Sequence, residues 1–121
     1  AIGVSRYPSF GNFNTIVQKY NSSGTLQWQK DLKRSGQDTQ AYGVDADSSN
    51  NIYIAGLTNT EGGIFVTKLN ASGVEQWTTV LDGSDTQEGM DVAVDSSGNV
   101  YVTGYSKLRA GRFDLYLAKL T

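Results

Sequence analysis

Cysteine and histidine are both absent from this chain of 121 residues, and proline and methionine occur once each. Without cysteine there can be no disulfide, zinc thiolate site or thiol nucleophile. Without histidine the commonest general base and the commonest transition-metal ligand are missing. No run approaches the roughly 20 consecutive apolar residues of a helical membrane span, so membrane insertion is not expected. Charge of one sign is lacking too: 10 basic and 12 acidic residues give a net charge of −2. The Lys and Arg are scattered over several segments, which leaves no footprint for nucleic acid. The chain opens on Ala1 with no signal-like leader, so it reads as a processed chain or an excerpt, and its length suits one domain, residues 1–121.

What the chain has is repetition. Residues 13–63 and 62–114 are two copies of one pattern. Lys19 recurs as Lys68 and Lys119, Gly24 as Gly73, Trp28 as Trp77, Asp47 as Asp95 and Gly56 as Gly104, a period of about 50 residues. Units of this length cannot bury their apolar faces alone and must stack on their neighbours. The chain is not a whole number of units, and a partial unit is expected at each end.

Helical periodicity is missing, and Gly, Ser, Asn and Asp interrupt the chain about every ten residues, so the fold class expected is all-β. Strands are predicted near residues 15–20, 25–31, 41–46, 51–57, 64–69, 74–80, 89–95, 99–105 and 115–120, with an N-terminal stub. The linkers repeat as well. Asn21-Ser-Ser-Gly24 and Asn70-Ala-Ser-Gly73 form one pair, Asp47-Ser-Ser-Asn-Asn51 and Asp95-Ser-Ser-Gly-Asn99 the other. In each, an Asx side chain can bond the backbone ahead of it while Gly or Asn accepts positive φ, as a tight hairpin requires. Residues 64–69 and 115–120 are apolar on both faces, which implies a sheet covered on both sides, as in a propeller blade. The small residues of 41–46 and 89–95 suit a crowded centre, and Trp28 and Trp77 are expected at equivalent, largely buried outer positions.

The run from Gly83 to Gly104, with Val66-Thr-Lys-Leu-Asn-Ala-Ser-Gly73 and Trp77 before it, resembles the SBBP family of bacterial β-propeller repeats. The first copy departs from that pattern at Asn50 and at Ala55. The resemblance implies four-stranded antiparallel blades, about two and a half of them here. It also implies an inner second strand and outer pair first, then a complete blade over 41–80 and three strands of another over 89–120. Members are mostly large secreted or surface proteins, which implies an extracellular or cell-surface location. The Lys-Leu-Asn-Ala-Ser-Gly-x-x-x-Trp run is also similar to the tryptophan-docking hairpin of quinoprotein propellers, although the period fits that type less well.

Several residues are candidates for a site. The 45–51 segment alternates oxygen ligands as calcium loops do, yet it has Asn50 where Gly belongs and Gly56 in place of the closing Glu, so it reads as a turn. The triplets beginning at Asp38 and Asp85 recur in the loops entering the inner strands; they read as hydrogen-bonding devices, with a carboxylate ring of Asp38, Asp85, Asp91 and Asp45 as the alternative. Asn21 and Asn70 lie in glycosylation-type triplets that turn chemistry also explains. Function on a repeated scaffold falls to the exceptions, and the loops that differ carry Tyr7, Phe10, Arg109 and Arg112 as ligand-binding candidates. The expectation is a non-catalytic scaffold that binds through its loops and assembles with further blades or other copies as a homo-oligomer, without metal or cofactor. A carbohydrate-binding propeller with a glycan ligand, and a hydrolase propeller, are the alternatives.

Overall fold

Every described hairpin turn forms where an Asx residue precedes one that takes positive φ. Asn21 Oδ1 accepts the amides of Ser23 and Thr25, at 3.0 and 2.9 Å. Asn70 Oδ1 does the same for Ser72 and Val74, again at 3.0 and 2.9 Å. The left-handed positions fall at Gly24, Gly73, Gly98 and Asn50, with φ of 77°, 81°, 82° and 61°. Only a residue free of a Cβ clash, or one with a short polar side chain, takes that conformation cheaply. Turns at these points fold the chain into successive antiparallel strands.

The computed structural model describes residues 2–9, 12–33, 38–58, 63–81, 86–107 and 113–120. Over these residues the chain forms ten strands: β1 (Ile2–Ser9), β2 (Asn12–Tyr20), β3 (Leu26–Leu32), β4 (Thr39–Ala46), β5 (Ile52–Thr58), β6 (Ile64–Leu69), β7 (Glu75–Leu81), β8 (Thr86–Val94), β9 (Val100–Lys107) and β10 (Phe113–Leu120). They make three sheets in the orders β1-β2-β3, β4-β5-β6-β7 and β10-β9-β8, antiparallel throughout. Register fixes which strands correspond. Lys19 stands opposite Trp28 and Lys68 opposite Trp77. Lys68 also faces Tyr53, and Lys119 faces Tyr101. Hence β2, β6 and β10 hold the same place in their sheets, β4 and β8 are innermost, and β3 and β7 outermost. Among the described residues the first sheet has no innermost strand and the last no outermost one.

The sheets stack face to face. Because side chains alternate along a strand, β5 and β6 send one set of residues to each neighbour. Tyr53, Ala55, Ile64 and Val66 meet Met90, Val92, Val100 and Val102 of the last sheet. Ile52, Ile54, Phe65 and Leu69 meet Val17 and Leu32 of the first. The two-sided burial expected of the 64–69 strand is therefore real: Ile64, Val66 and Leu69 are fully buried, and Phe65 nearly so. Where the inner strands converge, small residues are required, since a Cβ on Gly43 would stand 2.8 Å from the Val92 amide nitrogen.

One expectation needs correction. The N-terminal stub is a strand of eight residues, paired from Ile2–Lys19 to Ser9–Asn12, so Pro8 does not end it. A strand with a neighbour on only one side tolerates a proline, which supplies no N–H to the ladder. Trp28 and Trp77 hold equivalent positions on the outermost strands, each packed against a core cluster with a minor part of its surface exposed.

Candidate functional site

Several side-chain hydrogen bonds cross from one sheet to the next. At the inner junction of the first and central sheets, Thr39 Oγ1 accepts the Thr15 amide at 3.1 Å, and Thr15 Oγ1 accepts the Ala41 amide at 3.1 Å. Both threonines are buried, so the exchange satisfies groups that would otherwise be costly to desolvate. The junction of the central and last sheets is pinned by a carboxylate. Asp45 Oδ2 accepts the Val94 amide at 2.8 Å, while its Oδ1 accepts the Ala46 amide at 2.8 Å. At the outer rim, Trp28 Nε1 and Lys19 Nζ both donate to the Ala71 carbonyl, at 3.1 and 3.2 Å.

The Asp-Ser-Ser segments are closed on themselves. Asp47 Oδ1 accepts the Ser49 and Asn51 amides, and Oδ2 accepts the Asn51 side-chain amide and the Tyr53 hydroxyl. Asp95 repeats all four bonds with Ser97, Asn99 and Tyr101. Burial pushes the Asp47 carboxyl upward, but the bonds from Asn51, Tyr53 and Ser49 outweigh it and hold the group below its ordinary 3.8. For Asp95 the Asn99 side chain is the largest influence, followed by the Asn99 amide, and the group is lowered to about 2. Both oxygens of each carboxylate are engaged by the turn, in keeping with the turn reading of residues 45–51. No group of three or more acidic side chains placed to hold a metal ion occurs among the described residues.

The other candidates are not gathered in one place. Asp38 is half-buried and engaged just ahead of β4. Tyr7 lies on β1 opposite Asn14. Phe10, Asp85, Arg109 and Arg112 lie outside the described residues. Of the proposed carboxylate ring, Asp45 is used in the junction, and Asp91 is exposed with Oδ1 on the Val92 amide. Sequence reasoning missed the Asp45 clamp, the threonine exchange and the Trp28 cap. One signal was available: Trp follows the turn glycine by the same interval in both copies. Another was the shift of the acid from Asp45 to Asp91, two residues along the same strand face.

Three sheets that stack face to face, one of them among the described residues a complete four-stranded antiparallel meander, define the class: these are blades of a β-propeller. The chain belongs to the SBBP family, whose β-propeller repeat model matches twice, over residues 34–65 and 76–107. The first match takes in β4 and β5 and reaches into β6, and the second runs from within β7 to the end of β9. Comparison with curated proteins gives no match.

Proposed function

We propose that this chain is a non-catalytic scaffold segment of a secreted or surface protein, assembling through its sheet faces with further blades or other copies. One observation carries the reading. Leu115 and Leu117 on β10 are 86% and 66% exposed, whereas their counterparts on β6, Ile64 and Val66, are fully buried against the next sheet. Fully burying one leucine is worth about 1.5–3 kcal/mol, so this face gains strongly from a covering sheet. The opposite end offers a parallel. Tyr42, at the place in β4 that Met90 has in β8, is 50% exposed while Met90 is 8% exposed.

The non-catalytic part rests on how the acids are used. The two carboxylates held below their usual range, Asp47 and Asp95, spend their oxygens on turns, and Asp45 spends its own on a sheet junction. The extracellular or surface location rests on membership of the family. Light scattering over a range of concentrations tests assembly. The account expects a molar mass above 13.1 kDa that rises with concentration, and a return toward the monomer in a Leu115→Lys, Leu117→Lys double variant. A monodisperse 13.1 kDa species at every concentration would contradict it.

A further inference from the structure

β7 is the outermost strand of the complete blade, and among the described residues no strand pairs with its outer edge. Register tells which groups point there. The Thr58 amide donates to the Gly63 carbonyl at 3.0 Å, directly across from it. Bonding alternates along an antiparallel strand, so residues 63, 65, 67 and 69 bond toward β5 and residues 64, 66 and 68 toward β7. The partners of the second set are Leu81, Thr79 and Trp77. The amides and carbonyls of Gln76, Thr78 and Val80 therefore point outward. Thr67 and Thr78 agree with this, since a pair that exchanges no backbone bonds holds its side chains closer, and their hydroxyls meet at 2.8 Å.

Edge strands are commonly blunted with charge, proline or a bulge. β3, the other outermost strand, follows that rule: it carries Lys30 and Asp31, and Asp31 also meets Lys33 at 3.4 Å. β7 does not. Residues 76–81 contain no charged residue, proline or glycine, and Trp, Thr and Val favour extended backbone. The irregularity in its pairing falls at Lys68 and Leu69, near the turn, and leaves Trp77 to Leu81 in regular register.

We propose that the outer edge of β7 is an interaction surface that takes β7 of a second copy, antiparallel, about a two-fold axis through Thr78. In that register Thr78 opposes itself, Gln76 opposes Val80, and Trp77 opposes Thr79. The outward amides and carbonyls of each strand then meet those of the other, and no charge stands opposite a charge. The axis is perpendicular to the sheet and preserves its faces, so Trp77 and Leu81 stay on the side of the last sheet in both copies. A second copy is the fitting occupant, because an edge without charge has little to select a foreign strand by, whereas a bonding set centred on one residue is its own complement. This goes beyond assembly through the sheet faces and does not require it.

The test follows a Leu115→Lys, Leu117→Lys chain by residue-resolved hydrogen exchange over a range of concentrations, so that association through the β10 face is suppressed. The account expects protection of the Gln76, Thr78 and Val80 amides to rise with concentration, while Trp77, Thr79 and Leu81 keep the protection that β6 gives them. Thr79→Lys sets like charges diagonally across the axis and should weaken the association by up to about fivefold, the scale of one adverse cross-strand pair. An equimolar mixture of Thr79→Lys and Thr79→Glu chains should recover it, which a misfolded variant would not do. If Thr79→Lys disturbs β5 and β6, Gln76→Pro removes an outward amide without touching the ladder to β6 and should weaken the association as well. Protection of the three outward amides that is the same at every concentration would mean that another segment covers the edge, and would overturn the proposal. So would concentration-dependent protection at β3 in place of β7, or equal association of the parent chain, the folded variants and the mixture.

Discussion

Asp95 shows how a residue chosen for a turn becomes a stability switch. Its folded carboxyl titrates at about 2 against an ordinary 3.8, so between those values the unfolded chain binds more protons. The stabilisation is present in full above 3.8 and is lost as the pH falls toward 2. Thermal midpoints taken from pH 5 to pH 2 should fall less steeply for Asp95→Asn than for the wild type; identical slopes would show that the four bonds do not hold the charge. Tryptophan gives a second contrast at this scale. Trp28→Phe removes a donor that has an acceptor and should cost about 1 kcal/mol in urea unfolding. Trp77→Phe removes a donor with no described acceptor and should cost less. Trp28→Ala should cost about 2 kcal/mol, below the range for a fully buried aromatic, because the ring is half-buried. Equal losses for the two phenylalanine variants would contradict the rim contact.

At the scale of elements, turns were the most legible part of the sequence. Asn21, Asn70, Asp47 and Asp95 each sit ahead of a Gly or Asn at a fixed offset, and the local chemistry of side chain to backbone leaves few alternatives. The strands between them followed, as did the two-sided burial of β6. Exposure was less legible, because it depends on the neighbour. The Trp28 and Trp77 copies look alike in sequence, yet among the described residues the turn of a next sheet lies beneath Trp28 alone. The candidate site was scarcely legible: the Asp45 bond to Val94 joins residues 49 apart in sequence, and no local pattern announces a partner so distant. Gly43 links the two levels. Its composition suggested a crowded centre, and the approach of Val92 shows how crowded. Gly43→Ala should destabilise the chain by about 1–3 kcal/mol, as overpacking does, with a matching loss of burial for Met90 and Val92. A neutral substitution would mean that the inner strands are farther apart than the account holds.

For the whole molecule, the central claim is that β4 to β7 form a complete blade covered on both faces, while among the described residues the last sheet is open at one edge and on one face. Stability should then be uneven along the chain, highest where strands are sandwiched and lowest where an edge meets water. Residue-resolved hydrogen exchange of the dilute chain tests this most directly. The account predicts the slowest exchange in β5 and β6, and fast exchange at alternate amides of β10, those that point away from β9. Protection of β10 equal to that of β6 in a monomer would contradict it, because the edge and face described as open would then be closed within a single chain.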